Sequence, residues 1–355
     1  MDVVIVGGGP AAVETLIGLH VLAGERVRLS IVAADPDFVL RPLQVLEPFG
    51  ACDGVRRPLE RIAADCGARF VQGHVVSVDA QERRIVLRGG ATIAYDVLVL
   101  SPGARALEAY DDAITFGKPG AGAAMRDLLA GVERGDVRRV AFVVTSAAGW
   151  TLPLYELALM TAAWARGHHV DDLELMLVTP EERPLVAFGA RASAAVARAL
   201  AGARIEFTGA TYADRRPGEL VLDGRRHVRV DRVVALPLIR GPVLEGVPAE
   251  RQFGFIPTDE HGRVIGLDAV YAAGDATDFP IKQGGLATQQ ADAVVHHIAA
   301  GLGAPVERAP FRPRLRGILF TGNVPRPEDK IAGRWLAPYL AGSAEPVAAA
   351  GGGRT

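Results

Sequence analysis

The feature that most restricts what this chain can fold into is its opening run, Val3-Val4-Ile5-Val6-Gly7-Gly8-Gly9-Pro10-Ala11-Ala12, which breaks from strand-like residues into three glycines and then into a helix pattern reaching Ala23. Strand, glycine turn and helix in that order make the dinucleotide fingerprint. Its first glycine permits the tight turn, the second lets the backbone approach a pyrophosphate, and the third allows helix and strand to pack closely. Gly7, Gly9 and Ala12 hold those positions, alanine being accepted at the third. The helix start at Pro10 and Ala11 presents a positive dipole end to phosphates. A glycine turn alone is a weak signal, and its placement between strand and helix gives it weight. Far along the chain, Val270-Tyr271-Ala272-Ala273-Gly274-Asp275 reads as another strand ending in Gly-Asp, the second half of the same nucleotide site. The strand Val27 to Val32 ends in Ala33-Ala34-Asp35, where the fingerprint expects an acid for the ribose hydroxyls. Either Asp35 serves from a shifted loop, or backbone and water hold the ribose.

A chain of 355 residues is long enough for two domains or one large one. Its net charge of −2, with signs interspersed, leaves no basic footprint for nucleic acid. The basic clusters Arg225-Arg226 and Arg312 to Arg316 are short and read as solvated. No secretory pattern of basic and then apolar residues is visible, and no run reaches about 18 uninterrupted apolar residues. The nearest, Leu152 to Ala165, carries Glu156 in its middle and reads as a buried helix. The expected location is cytoplasmic, with membrane association compatible. Cys52 and Cys66, the only cysteines, have neither CxxC nor zinc-ligand spacing and are expected to be reduced thiols.

Strands and helices alternate, which predicts an α/β fold with parallel sheets covered by helices. After the first unit, strands are expected at Arg69 to Val71, His74 to Val78, Arg84 to Leu87 and Tyr95 to Leu100. A second block opens with strand Val140 to Thr145. It continues with helix Leu152 to Ala165, strand Leu173 to Thr179, helix Ala190 to Leu200, strand Ile205 to Phe207, a hairpin around Leu220 to Val230 and strand Arg232 to Leu236. Asp268 to Ala272 returns to the pattern of the first domain. The expected organisation is a Rossmann-like nucleotide domain (1–115 and 268–302) interrupted by an inserted Rossmann-like domain (116–267). A short C-terminal segment (303–341) and a flexible Gly/Ala-rich tail (342–355) follow.

The opening GxGxxA, the block Tyr95-Asp96-Val97-Leu98-Val99-Leu100-Ser101-Pro102-Gly103-Ala104 and Tyr271-Ala272-Ala273-Gly274-Asp275 together resemble the two-dinucleotide-binding-domain flavoproteins of the pyridine nucleotide-disulfide oxidoreductase superfamily. Within it, the chain is most similar to the branch of sulfide:quinone oxidoreductases, type II NADH dehydrogenases and flavocytochrome sulfide dehydrogenases, over about residues 1–340. The resemblance implies FAD as cofactor and assigns roles. Asp275, after Gly274, would accept hydrogen bonds from the ribityl chain, a turn cap being the alternative. Val75 would meet the adenine through its backbone. Ser101-Pro102-Gly103, in place of the usual Ala-Thr-Gly, would cross near the pyrophosphate, and the Arg41-Pro42-Leu43 loop would lie alongside the flavin. Lys282-Gln283-Gly284-Gly285 would open a helix, running to about Ala299, aimed at the pyrimidine end of the isoalloxazine. A helix dipole there stabilises the reduced flavin's negative charge. Lys282 would add a full charge, unless it is a solvated surface lysine.

The departures from the family matter equally. Neither Cys52 nor Cys66 matches a position where the relatives carry redox-active cysteines, and the segments Ala147 to Trp150 and Phe320 to Asn323 contain none. Thiol chemistry is therefore not expected. Where an NADH-binding member shows a second glycine fingerprint, this chain reads Thr145-Ser146-Ala147-Ala148-Gly149-Trp150-Thr151-Leu152-Pro153-Leu154-Tyr155-Glu156. One glycine remains and Trp150 and Pro153 add bulk, so the inserted domain is expected to keep its fold with weakened or lost NAD(P)H binding. Trp150 and Tyr155 either line a pocket for a quinone-like substrate or pack the core, the latter favoured. His168-His169 reads as a helix C-terminal pair, not a metal site.

The segment Phe311 to Gly322, then Lys330 to Leu340, mixes aromatic, apolar and basic residues and could lie on a membrane surface. Docking on its own protein or on a second subunit is favoured, and a homodimer is compatible. The expected activity is an FAD-dependent oxidoreductase passing electrons from a small donor through the flavin to a quinone-like or protein acceptor without redox cysteines. The alternatives are an NAD(P)H-dependent flavin oxidoreductase and a flavin-retaining binding or redox-sensing protein without turnover. The catalytic side chain is unassigned, with Lys282 as a tuning charge.

Overall fold

The computed structural model describes residues 1–50, 56–145, 149–322 and 333–340. Cys52, the turn residues 146–148 and the tail 342–355 lie outside the described residues. The strands Asp2–Val6, Arg28–Ala33, Arg69–Gln72, Val97–Leu100 and Val270–Ala272 form one parallel sheet, with Asp2–Val6 at its centre. Buried on both faces, the central strand needs a continuous apolar run, which is why Val3 to Val6 do not alternate with polar residues. Val3 and Ile5 join the core under the helices Pro10–Ala23 and Gly284–Gly301. Val4 and Val6 face the other way, onto the antiparallel meander Val75–Asp79, Arg84–Leu87, Thr92–Ala94. The layers are helices, parallel sheet and meander.

The second unit repeats them. Ile114–Thr115, Arg232–Ala235, Arg139–Val143, Glu174–Val178 and Ile205–Thr208 form a second five-stranded parallel sheet in that order. Val140 and Phe142 face the helix side, whereas Ala141 and Val143 face the meander Ala213–Arg216, Glu219–Leu222, Arg226–Arg229. The repetition extends to one hydrogen bond. Asp96, just before its strand, accepts the Asp2 N–H at 2.7 Å, and Asp231 accepts the Arg139 N–H at 2.8 Å, each carboxylate anchoring the start of the neighbouring first strand.

Helix-side side chains of both units merge into one apolar cluster. The 3₁₀ segment Arg41–Phe49 packs on the helices Ala121–Arg134 and Leu152–Gly167 of the second unit. The chain crosses between units along two antiparallel strands, Arg105–Leu107 and Leu238–Arg240. The elements expected from the sequence are present with ends shifted by one to two residues. The expected hairpin near 220–230 is a three-stranded meander, and the helix Ala121–Arg134 was not anticipated, because its glycines and charges blur the apolar period.

Candidate functional site

The C-terminal ends of both central strands open on one cleft of about 1530 Å³. Ligand pockets commonly span ~300–1,000 Å³, so this space accommodates a dinucleotide with room beside it. Its floor is the first unit's turn. Gly7 has φ +127°, and a Cβ there would come within 2.0 Å of the Ser101 carbonyl oxygen, so only glycine fits. Its N–H donates to the Val32 carbonyl at 2.8 Å, fixing the turn at the strand end. Gly9 caps the helix without a side chain, and a Cβ there would meet nothing within 4 Å, leaving the helix start open to the cleft.

Of the residues expected around the cofactor, Gly7, Gly9, Pro10, Ala11, Asp35, Arg41, Val75, Ser101, Pro102, Gly103, Gly274, Asp275, Lys282, Gln283, Gly284 and Gly285 all line this cleft. Ala12 does not; it is fully buried, in the packing position of the fingerprint. Gln283 caps the Gly284–Gly301 helix, its Oε1 accepting the Leu286 N–H at 2.9 Å while its Nε2 donates to the Arg316 carbonyl at 3.1 Å.

The Gly274–Thr277 turn is held by partners the sequence did not single out. Gln290 accepts the Gly274 N–H at 2.7 Å through Oε1 and donates to Thr277 Oγ1 at 3.0 Å through Nε2, and Thr277 Oγ1 donates back to the Gly274 carbonyl. This frame sets Asp275 on the cleft wall. Burial raises its carboxyl pKa, against the pull of Lys282 and then Arg41. Lys282 is 8% exposed, which excludes the solvated surface alternative. Its Nζ donates to the Thr277 carbonyl at 2.5 Å and lies 3.6 Å from the Phe255 ring centroid. Burial brings its pKa down to about 8, opposed by Asp275, Asp278 and Glu250.

The second unit contributes Val144, Thr145, Gly149 to Pro153 and Glu156 to the cleft wall. Counted back from the helix cap, Gly149 corresponds to Gly7, and its φ of +129° repeats the same backbone twist. The other fingerprint positions then fall on Thr151, which caps the helix where Gly9 does in the first unit, and on Leu154, where Ala12 stands. Side chains thus occupy the two places where close approach requires none. Trp150 lines the cleft and packs against Phe188 at 5.4 Å between centroids. Tyr155 is fully buried and donates to Glu181 at 2.7 Å, so of the two readings it takes core packing. His168 and His169 are exposed at the helix end, with His168 stacked on Trp164.

Two buried glutamates were missed as anchors. Glu14 and Glu156 stand at the same fifth position of their respective helices. Glu14 accepts the backbone N–H groups of Arg334 at 2.5 Å, Trp335 at 2.9 Å and Leu336 at 2.7 Å, and Glu156 accepts that of Phe320 at 3.0 Å. A glutamate at the fifth position of an otherwise apolar helix, twice in one chain, was the available signal. Burial lifts the Glu14 pKa to about 7 against those three hydrogen bonds. Cys66 is buried away from the cleft, and burial pushes its thiol up to about 12, far from a reactive thiolate.

The duplicated three-layer fold with a glycine turn at its sheet end has the two-unit, Rossmann-type architecture of the two-dinucleotide-binding-domain flavoproteins. No family profile matches the chain. In sequence it is 29% identical over 307 residues to a NADH dehydrogenase-like protein of Mycobacterium tuberculosis, covering 77% of this chain and 72% of the relative. In structure it is similar to the sulfide:quinone oxidoreductase of Aquifex aeolicus, with a TM-score of 0.78 at 17% identity over 85% of this chain and 77% of that one. It is also similar to NDH2 of Plasmodium falciparum solved with NADH, with a TM-score of 0.64 at 13% identity over 78% of this chain and 64% of that one. Among the described residues, no helix is long and apolar enough to cross a membrane.

Proposed function

We propose that the chain is an FAD-dependent oxidoreductase that takes electrons from a small donor and passes them through the flavin to a quinone-like or protein acceptor, without redox-active cysteines. The observation that carries this reading is the convergence of Gly7 to Ala11, Ser101 to Gly103 and Gly274 to Gly285 on one cleft, from three distant parts of the chain. These residues fit FAD. The Gly7 cradle admits no side chain, the helix start at Gly9 and Pro10 suits a pyrophosphate, and Asp275 is a carboxylate placed to accept hydroxyl hydrogen bonds.

When bound, FAD supplies the two-electron chemistry. The protein's own part is electrostatic. The amide groups at Gly284 and Gly285 and the Lys282 ammonium favour negative charge at that end of the cleft, so they stabilise a reduced over an oxidised occupant. Of the C-terminal region, Arg314, Arg316 to Ile318, Gly333, Arg334 and Leu336 line the cleft, and residues 1–115 with 268–302 would form the unit that holds the cofactor.

A second reading, NADH or NADPH as donor, is favoured by the likeness to the NADH dehydrogenase-like relative. Against it stand Thr151 and Leu154 at the glycine positions of the second turn. The test is to release the bound chromophore from the purified protein, identify it, and assay the holoprotein with soluble quinone and ferricyanide acceptors. FAD in about one-to-one ratio with turnover supports the reading. A protein that binds no flavin after incubation with FAD overturns it, and bound FAD without turnover selects the sensing alternative.

A further inference from the structure

The segment Phe311 to Phe320 is laid across the cleft mouth by main-chain bonds. The Phe311 N–H donates to the Glu260 carbonyl at 2.7 Å, and the Phe320 N–H donates to Glu156. Between them, Gln289 takes both polar groups of the Arg314 backbone, accepting its N–H at 2.9 Å and donating to its carbonyl at 3.0 Å, while Gln283 donates to the Arg316 carbonyl. Carbonyls two residues apart that face the same side have the period of extended backbone, so the side chains of Arg312, Arg314 and Arg316 also share one side. All three residues are exposed, and the intervening Leu315 is half-buried. Arg314 and Arg316 line the cleft itself.

Among the described residues, no carboxylate lies within ion-pair distance of any of these three guanidinium groups, so their charges are not neutralised from within the chain. The chain as a whole is slightly acidic, with a net charge of −2, so the row is a local positive feature and not part of a general basic surface. Three fixed charges over four residue steps span about 13 Å. That is too long for one carboxylate or phosphate and suits a macromolecular surface.

We propose that the Arg312–Arg314–Arg316 edge is a docking surface for an acidic protein that exchanges electrons with the cleft. The inference rests on the oxidoreductase reading and selects the protein acceptor within it. Charge complementarity of this kind acts chiefly on encounter, raising association rates by ~10–10³ at low salt. Anchoring through the backbone leaves the side chains free to be exchanged without releasing the segment.

The test uses one redox centre with two surfaces: succinylated cytochrome c, which is acidic, and native cytochrome c, which is basic. Binding of each to the full chain is measured by surface plasmon resonance at low and high ionic strength, which needs no flavin. The reoxidation rate of the photoreduced holoprotein by each is then followed by stopped flow. The wild type is expected to bind the acidic form at least tenfold more tightly at low salt. The triple variant R312E/R314E/R316E is expected to lose that preference, and the single variant R312E, whose residue is not part of the cleft lining, is expected to weaken it while retaining its flavin spectrum and its rate with a neutral soluble quinone. The milder R312Q/R314Q/R316Q is expected to fall between the wild type and the triple glutamate variant.

An unchanged preference in both triple variants overturns the proposal. So does arginine-dependent sedimentation with phosphatidylglycerol vesicles in the absence of arginine-dependent binding of succinylated cytochrome c, which would make the edge a membrane contact. A chain that binds no flavin fails the oxidoreductase reading instead, and the binding measurement still decides the docking surface.

Discussion

The two nucleotide units have the same three layers, the same strand-anchoring aspartate and a buried glutamate at the same helix position, yet their turns differ. In the first, Gly7 follows the strand directly and nothing larger than hydrogen fits. In the second, Gly149 keeps the twist but stands apart from the strand, a Cβ on it would meet nothing within 4 Å, and Thr151 and Leu154 fill the remaining positions. Beyond the adjacent strands, Ser101-Pro102 in the first unit is matched by Leu236-Pro237 in the second, an apolar side chain replacing a hydroxyl. The difference teaches that the same packed layers can carry turns of very different clearance. The layers depend on buried apolar rows, and the proposed phosphate site depends on a few atoms of clearance.

The sharpest way to break the comparison is to add one methyl group to each turn. Gly7→Ala is expected to abolish flavin binding and to cost more than about 4 kcal/mol, since it combines a positive φ with a clash against backbone. Gly149→Ala meets only the backbone preference, roughly 1–3 kcal/mol, and should keep its flavin. Flavin-to-protein ratio and thermal midpoint read both. Equal loss of flavin in the two variants would mean that the second turn is also a phosphate site.

Charge sharpens it next. Lys282→Met should slow electron entry into the flavin by roughly tenfold to a hundredfold and remove a pH dependence near the lysine's pKa of about 8. A variant with the wild-type pH profile would remove Lys282 from the site's electrostatics.

The two glutamates give a smaller effect. Glu14→Gln leaves a side-chain N–H facing a backbone donor and should cost ~1–3 kcal/mol, with faster hydrogen exchange at the Arg334 to Leu336 amides. Because the folded pKa of Glu14 lies above its ordinary 4.5, the folded chain binds more protons between 4.5 and about 7. The stability linked to this group is therefore full below about pH 4.5 and lost as pH rises through about 7, ~3 kcal/mol in all. Denaturant midpoints of wild type and Glu14→Gln across that window should converge toward neutral pH; parallel curves would place the titration elsewhere. The smallest change expected is Tyr155→Phe, about 1 kcal/mol from one hydrogen bond to Glu181, with flavin content unaltered.

The strands and the glycine turn were legible because apolar rows and steric exclusion leave direct marks in sequence: Val3 to Val6 and Gly7 can be read without coordinates. The place of Asp275 and Lys282 on the cleft was legible through resemblance and their order along the chain. What stayed hidden were contacts made across hundreds of residues. Nothing near Glu14 says that its partners are backbone groups at 334–336, and nothing near Gln290 says that it holds the Gly274 turn. The arginines of 312–316 read as solvated because their position over the cleft is set by Gln283 and Gln289, far back in the chain.

The most direct test of the claim that one turn holds a dinucleotide and the other has lost that use is an anaerobic mixing experiment. FAD-loaded protein is combined with NADH or NADPH while the visible flavin bands are followed. The expected result is a flavin that stays oxidised on the timescale of turnover with either nucleotide and bleaches with dithionite. Rapid bleaching by NADH would contradict it and show that Gly149, Thr151 and Leu154 still frame a working nucleotide site.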